Sequence, residues 1–130
     1  MPNVETSTPA NTPEPIGPYH HVARVGSLIT IGGVAGVDAA TGQLAGADIR
    51  SQTRQIFLNF RTMLESAGSD LQHIVHVNVF LGSMSDFEAM NAAYVEMMTD
   101  HRPARTVIGV RELPKPGMLL TMNLTAVTAD

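Results

Sequence analysis

From Met118 to Val127 the chain alternates without a break. Met118, Leu120, Met122, Leu124 and Ala126 fall on one side, and Leu119, Thr121, Asn123, Thr125 and Val127 on the other. Successive side chains of a strand point to opposite faces, so this strand has one apolar face to bury and one mostly polar face. The fold must therefore supply a core on one side of the strand. Two stretches have the right periodicity to do so. Ile49, Ile56, Phe57, Phe60, Met63 and Leu64 recur at helical spacing between about Asp48 and Ala67, with Arg50, Arg54, Arg61 and Glu65 at polar positions and Gly68 as the stop. A second helix is expected from the capping-box pattern Ser85-Asp-Phe-Glu88 to about Met98, packing through Phe87, Met90, Tyr94 and Met97 or Met98.

The other elements are strands. Two short apolar segments between His20 and Ile31 flank the turn signal Gly26-Ser27, as in a hairpin. Alternation there puts Tyr19, His21 and Ala23 on one face and His20, Val22 and Arg24 on the other. Gly32-Gly33 and Gly36 follow, allowing close backbone approach. Asp38 to Gly42 reads as a turn, and Ser69-Asp70 as a connection able to cap one further helical turn. Ile74 to Leu81 alternates as a third strand, with His76 and Asn78 sharing a face with Ile74 and Phe80. The predicted order is β-β-α-β-α-β-β, an α+β sandwich of a single sheet with two helices on one face. Residues 1–15, with Pro2, Pro9, Pro13 and Pro15 among polar residues, read as a flexible arm, and residues 16–130 as one domain. A sheet face that is neither core nor strongly charged is commonly covered by a second copy of the same chain.

The stretch His101-Arg-Pro-Ala-Arg105-Thr-Val-Ile-Gly-Val110 carries the strongest chemical signal. Pro103 biases Arg102 towards extended geometry, and Thr106, Val107, Ile108 and Val110 favour a strand. Arg105 thus stands where a rigid strand begins, and its planar fork of donors suits a carboxylate or phosphate. Composition excludes several other chemistries. The chain of 130 residues has no cysteine, so thiol nucleophiles, disulfides and thiolate metal sites are out. A net charge of −4 with only 8 scattered Lys and Arg provides no basic stripe for nucleic acid. No apolar run approaches a membrane span, and the expected location is cytoplasmic. The glycines at 32, 33 and 36 lack the spacing of a nucleotide loop, and the five histidines lack metal-ligand spacing.

Ile16-Gly-Pro-Tyr19, Gly33 after a hydrophobic strand, Gln52-Thr-Arg, Val79-Phe-Leu81, Asp86-Phe, Met90-Asn-Ala-Ala-Tyr94, Pro103-Ala-Arg105 and Leu113-Pro-Lys115 occur in one order. In that order and spacing the chain resembles the YjgF/RidA family from about Ile16 to Val127. The resemblance implies a chorismate-mutase-like fold, a homotrimer whose sheets form an inner barrel, and three sites in clefts between neighbouring subunits. It further implies hydrolysis of reactive 2-enamine and 2-imino acids to 2-oxo acids and ammonia, with no metal or organic cofactor. Carried over by position, Arg105 matches an arginine that grips the substrate carboxylate, Tyr19 a pocket tyrosine, Gly33 a glycine whose backbone faces the ligand, and Asn91 an asparagine near the site.

Three positions depart from the family pattern. Thr121 stands where deaminating members usually have a glutamate thought to position or activate water, Gly32 where a serine is common, and Val107 where a cysteine is frequent. A threonine hydroxyl can hydrogen-bond a water but does not take a proton near neutral pH. His21, on the face of Tyr19, is the candidate base in its place. Two functions compete on these residues. One is hydrolytic deamination of a small imino or enamino acid. The other is non-catalytic or regulatory binding of a small carboxylate by a trimer.

Overall fold

The computed structural model describes residues 3–130. One main sheet holds β1 (Glu5–Ser7), β2 (Val22–Val25), β3 (Leu28–Val34), β6 (Ile74–Leu81), β7 (Ala104–Gly109) and β8 (Leu120–Val127), side by side in the order β1-β2-β3-β8-β6-β7. A separate ribbon pairs β4 (Val37–Asp38) with β5 (Gln43–Leu44) around the turn expected at Asp38 to Gly42. All neighbours in the main sheet are antiparallel except β6 and β7, which run parallel. Parallel neighbours need a crossover, and α2 (Phe87–Met98) supplies it. With α1 (Ile49–Ser66), α2 closes one face of the sheet, as the alternation in β8 requires: Leu120, Met122, Leu124 and Ala126 are all buried.

Local chemistry sets the helix ends. The Asp48 carboxylate accepts the Ser51 amide at 2.9 Å to start α1. At the other end Gly68 takes φ +80°, and the amides of Gly68 and Ser69 return to the carbonyls of Glu65 and Leu64, a Schellman closure. Asp70 then caps the short 3-10 turn Leu71–His73. Against expectation, Ser85 does not cap α2. Ser83 caps a 3-10 turn at Met84–Asp86, so Ser85 lies inside that turn and its oxygen is spent on the Ser83 hydroxyl.

Three further differences trace to the backbone. Val75 is an extra residue in β6, since Ile74 pairs Ala126 while His76 pairs Thr125. This bulge turns Ile74 into the core, away from the face of His76, Asn78 and Phe80 where strict alternation had put it. In β3 a second irregularity sets Gly32 and Gly33 against Asn123 alone, between the pairs Ile31–Leu124 and Val34–Met122. Finally, the segment expected as a flexible arm contributes to the sheet: Glu5, Thr6 and Ser7 pair with Arg24, Ala23 and Val22. The open edge of β2 offers an unpaired backbone ladder, and Thr6 and Ser7 can fill it without burying a side chain.

Candidate active site

Arg105 lies at the second position of β7, the edge strand of the sheet. Odd-numbered residues of β7 face the helices, as the packing of Val107 against the core shows. Arg105 consequently leans on α2. Its Nη1 donates to Asn91 Oδ1 at 2.8 Å, and its guanidinium carbon sits 4.7 Å from the centre of the Tyr94 ring and 6.0 Å from that of Phe87. Tyr94 is itself buried and meets Phe57 edge to face, so the ring beneath the cation is rigid. Burial raises the Tyr94 phenol above its ordinary pKa, and the nearby Arg105 and Arg102 oppose that rise. Among the described residues no carboxylate pairs with Arg105, and Asn91 takes only one of its donors. The remaining fork opens onto a shallow cleft of about 360 Å3 lined by Asn91, Tyr94, Val95, Arg102 and Pro103.

Tyr19, His21, Gly33 and Thr121 are gathered elsewhere, around an open cavity of about 500 Å3 on the face of the sheet away from the helices. The bulge in β3 brings Gly33 against Thr121: a Cβ at Gly33 would stand 3.3 Å from Thr121 Oγ1. Thr121 donates its hydroxyl proton to the Val34 carbonyl at 3.1 Å, which leaves the oxygen's lone pairs for a donor in the cavity. The Tyr19 hydroxyl accepts the Ile16 amide at 3.3 Å and keeps its own proton to give.

His21 is buried, 4% exposed, and meets Tyr19 edge to face. Its Nε2 lies 2.6 Å from the Pro13 carbonyl oxygen, which can only accept, so Nε2 carries the proton. The other ring nitrogen, Nδ1, is enclosed and has no partner among the described residues. Neither nitrogen is open to a water in the cavity, and the expectation of His21 as general base gives way to a role as anchor of the N-terminal segment. His20 is exposed and its Nδ1 lies 3.2 Å from the Thr8 hydroxyl.

A single chain keeps the two groups apart. Arg105 and Thr121 project from opposite faces of the sheet, with β6 between β7 and β8, about 10 Å at two strand spacings, and Gly33 lies one strand further away. No small acid can touch both within one copy.

Two buried amides to which sequence reasoning assigned no partners tie the loops of an adjoining hollow, which meets the cavity at Ala35 and Met118. Gln52 donates to the carbonyls of Gly46 and Gly117 and accepts from the Leu119 amide, each at 2.9 Å. Asn59 donates to the carbonyls of Ala35 and Val37. Both lie on the helix face defined by Ile49, Ile56, Phe60 and Met63. An amide on an otherwise apolar stripe was the available signal, because such a group must find partners when buried.

The family model described as Endoribonuclease L-PSP matches residues 9–128. A RutC family protein of Pyrococcus horikoshii is 40% identical over 105 residues, 81% of this chain and 83% of that protein. The 2-iminobutanoate/2-iminopropanoate deaminase of Dermatophagoides farinae is 36% identical over 109 residues, 84% of each. The crystal structure of the E. coli YjgF gene product superposes with a TM-score of 0.88 at 33% identity, covering 95% of this chain and 98% of that one. The chain belongs to the YjgF/RidA family.

Proposed function

We propose that the protein hydrolyses a small reactive enamine or imine acid to a 2-oxo acid and ammonia, in a site that two neighbouring copies of a homotrimer complete together. The observation that carries this reading is the division of the site. Arg105, bonded to Asn91 by one donor, presents its remaining donors at a sheet edge with no carboxylate partner among the described residues, and the Gly33–Thr121 cavity presents polar groups on the open face. An edge and a face meet naturally when copies pack around a closed ring. Asn78 and Asn123, joined at 2.8 Å, lie on that open face between the two regions and suit a partly polar subunit interface.

In the assembled site the Arg105 fork holds the substrate carboxylate by two parallel bonds, with Asn91 and Tyr94 fixing the guanidinium plane. Tyr19 and the Gly33 backbone line the space for the rest of the acid. An imine carbon is already electrophilic, so orientation and a placed water supply most of what the reaction needs. The chain's similarity to the 2-iminobutanoate/2-iminopropanoate deaminase of Dermatophagoides farinae supports the reaction class. A chain of net charge −4 is a poor surface for a nucleic-acid backbone, which argues against reading the family description as ribonuclease action here.

A second reading rests on Thr121. With no proton acceptor at that position of β8, the same trimer binds small carboxylates without turning them over. Ammonia release from freshly generated 2-aminoacrylate, measured beside 2-oxo acid binding, separates the two. Turnover supports the deaminase, whereas binding alone supports the carboxylate binder. Light scattering that gives a monomer at micromolar concentration would remove the shared site from both readings.

A further inference from the structure

We propose that Glu14 is the proton acceptor of the cavity, supplying from the N-terminal segment the carboxylate that the last strand does not supply at Thr121. This rests on the deaminase reading and adds the group that moves the proton. Among the described residues that line the cavity, Glu14 is the sole carboxylate, and it shares the cavity with Tyr19, Gly33 and Thr121. It is also tied in place from both sides. The carbonyl of Pro13, immediately before it, accepts from buried His21 at 2.6 Å, and the amide of Ile16, two residues after it, donates to the Tyr19 hydroxyl. Pro13 and Pro15 fix their own φ, and Pro15 pushes Glu14 towards extended geometry. Further back, β1 is paired into the sheet. The backbone at Glu14 is thus fixed at the cavity rim, with little main-chain freedom left to lose when its side chain takes part.

The division of labour follows from hydrogen-bond inventory. The Thr121 hydroxyl has spent its proton on Val34, so its oxygen accepts one hydrogen of a cavity water. Glu14 accepts the other. With both hydrogens taken, the water's lone pair is left to attack the carbon of the substrate in its protonated imine form, C=NH2+. As the C–O bond forms, the π pair of the C=N bond goes to nitrogen and Glu14 takes a proton from the water, leaving a carbinolamine. Glu14 then returns that proton to the amine nitrogen. The C–N bond breaks with its electron pair leaving on ammonia, the hydroxyl proton passes to Glu14 and on to ammonia or solvent, and the 2-oxo acid remains. Water is the only co-reactant. His21 acts here as a positioning residue.

The test compares full-length wild type with Glu14→Gln, Glu14→Asp and Glu14→Ala, using 2-aminoacrylate generated in situ and a stable 2-oxo acid as the binding probe. Glu14 is exposed, so these changes should leave the fold intact. We expect Glu14→Gln to lower kcat by about 100-fold or more, with probe affinity within roughly twofold of wild type. Glu14→Asp should recover part of the rate, and added formate should restore turnover to Glu14→Ala. Wild-type turnover in Glu14→Gln overturns the proposal while leaving the deaminase reading intact. A Glu14→Ala protein that formate does not rescue, and whose probe affinity falls in step with its rate, has lost a structural tie and overturns it equally. A wild-type protein that binds the probe but releases no ammonia overturns both.

Discussion

Arg105 stands on an edge strand against one helix, whereas Gly33 and Thr121 meet across a bulge between two inner strands. The first region is made of side chains: Asn91 and Tyr94 sit one helical turn apart on α2 and reach the same guanidinium. The second is made of backbone. It needs the irregularity at Gly32-Gly33, a carbonyl of Val34 to orient Thr121, and a carbonyl of Pro13 to hold the N-terminal segment on His21. A charge placed by local packing is robust and generic, and it suits gripping the carboxylate common to many acids. On the proposed function, a cavity placed by backbone irregularity and a strapped segment sets the particular chemistry.

The largest expected effect falls on the Arg105 side. Arg105→Ala should cost about 2–5 kcal/mol of affinity for a small 2-oxo acid, the range for breaking a hydrogen-bonded charge pair in a desolvated cleft. Arg105→Lys should recover only part, because a point charge does not reproduce the planar two-bond grip. Titration calorimetry reads both, and equal affinities for lysine and arginine would show that the fork geometry is unimportant.

Beside the cavity the sharper probe is Gln52, which ties the loops of the hollow that adjoins it at Ala35 and Met118 and touches no candidate ligand group. Gln52→Leu leaves the carbonyls of Gly46 and Gly117 and the amide of Leu119 without their partner, so stability should fall by about 2–3 kcal/mol. Denaturant midpoints measure this, and Arg105-dependent affinity should change much less than turnover. If affinity and turnover fall together, the two regions are not built independently.

The smallest effect lies outside both regions. The hydrogen bond to His73 holds the Asp70 carboxyl below its ordinary pKa, against a smaller opposing effect of burial. A lowered folded pKa stabilises the protein above the unfolded value, near 3.8, and that gain disappears as pH falls through the folded value. Both side chains are more than a third exposed, so the gain is only a few tenths of a kcal/mol. Asp70→Asn should therefore be slightly less stable than wild type at pH 6 and indistinguishable from it near pH 2, by thermal melts across pH.

The same contrast explains what could be read from the sequence. The alternation in β8 and the helical stripe of α1 announced the α+β sandwich because burial dictates periodicity. Arg105 was legible for a related reason, since Pro103 and the β-branched run behind it mark a strand start. Bulges leave no such signature. One extra residue at Val75 moved Ile74 across the sheet, and the bulge at Gly32-Gly33 showed only as permissive glycines. The pairing of Glu5–Ser7 with β2 rests on backbone groups that every residue carries, so a proline-rich composition hid it. His21 was placed on the correct face, but the carbonyl that occupies it belongs to a residue eight positions earlier.

The central claim, that Arg105 of one copy serves the cavity of another, can be tested by mixing two inactive variants. Arg105→Ala removes the grip, and Gly33→Val fills the space beside Thr121. In a closed trimer, hybrids containing both variants have one interface where an intact Arg105 meets an intact cavity. Co-expressed chains in equal amounts should thus regain about a quarter of the wild-type binding sites for a 2-oxo acid, although each variant alone has none. Recovery near that level is the predicted result. No recovery from hybrids shown by mass spectrometry to contain both chains would contradict the shared site and return Arg105 and the cavity to separate roles within one copy.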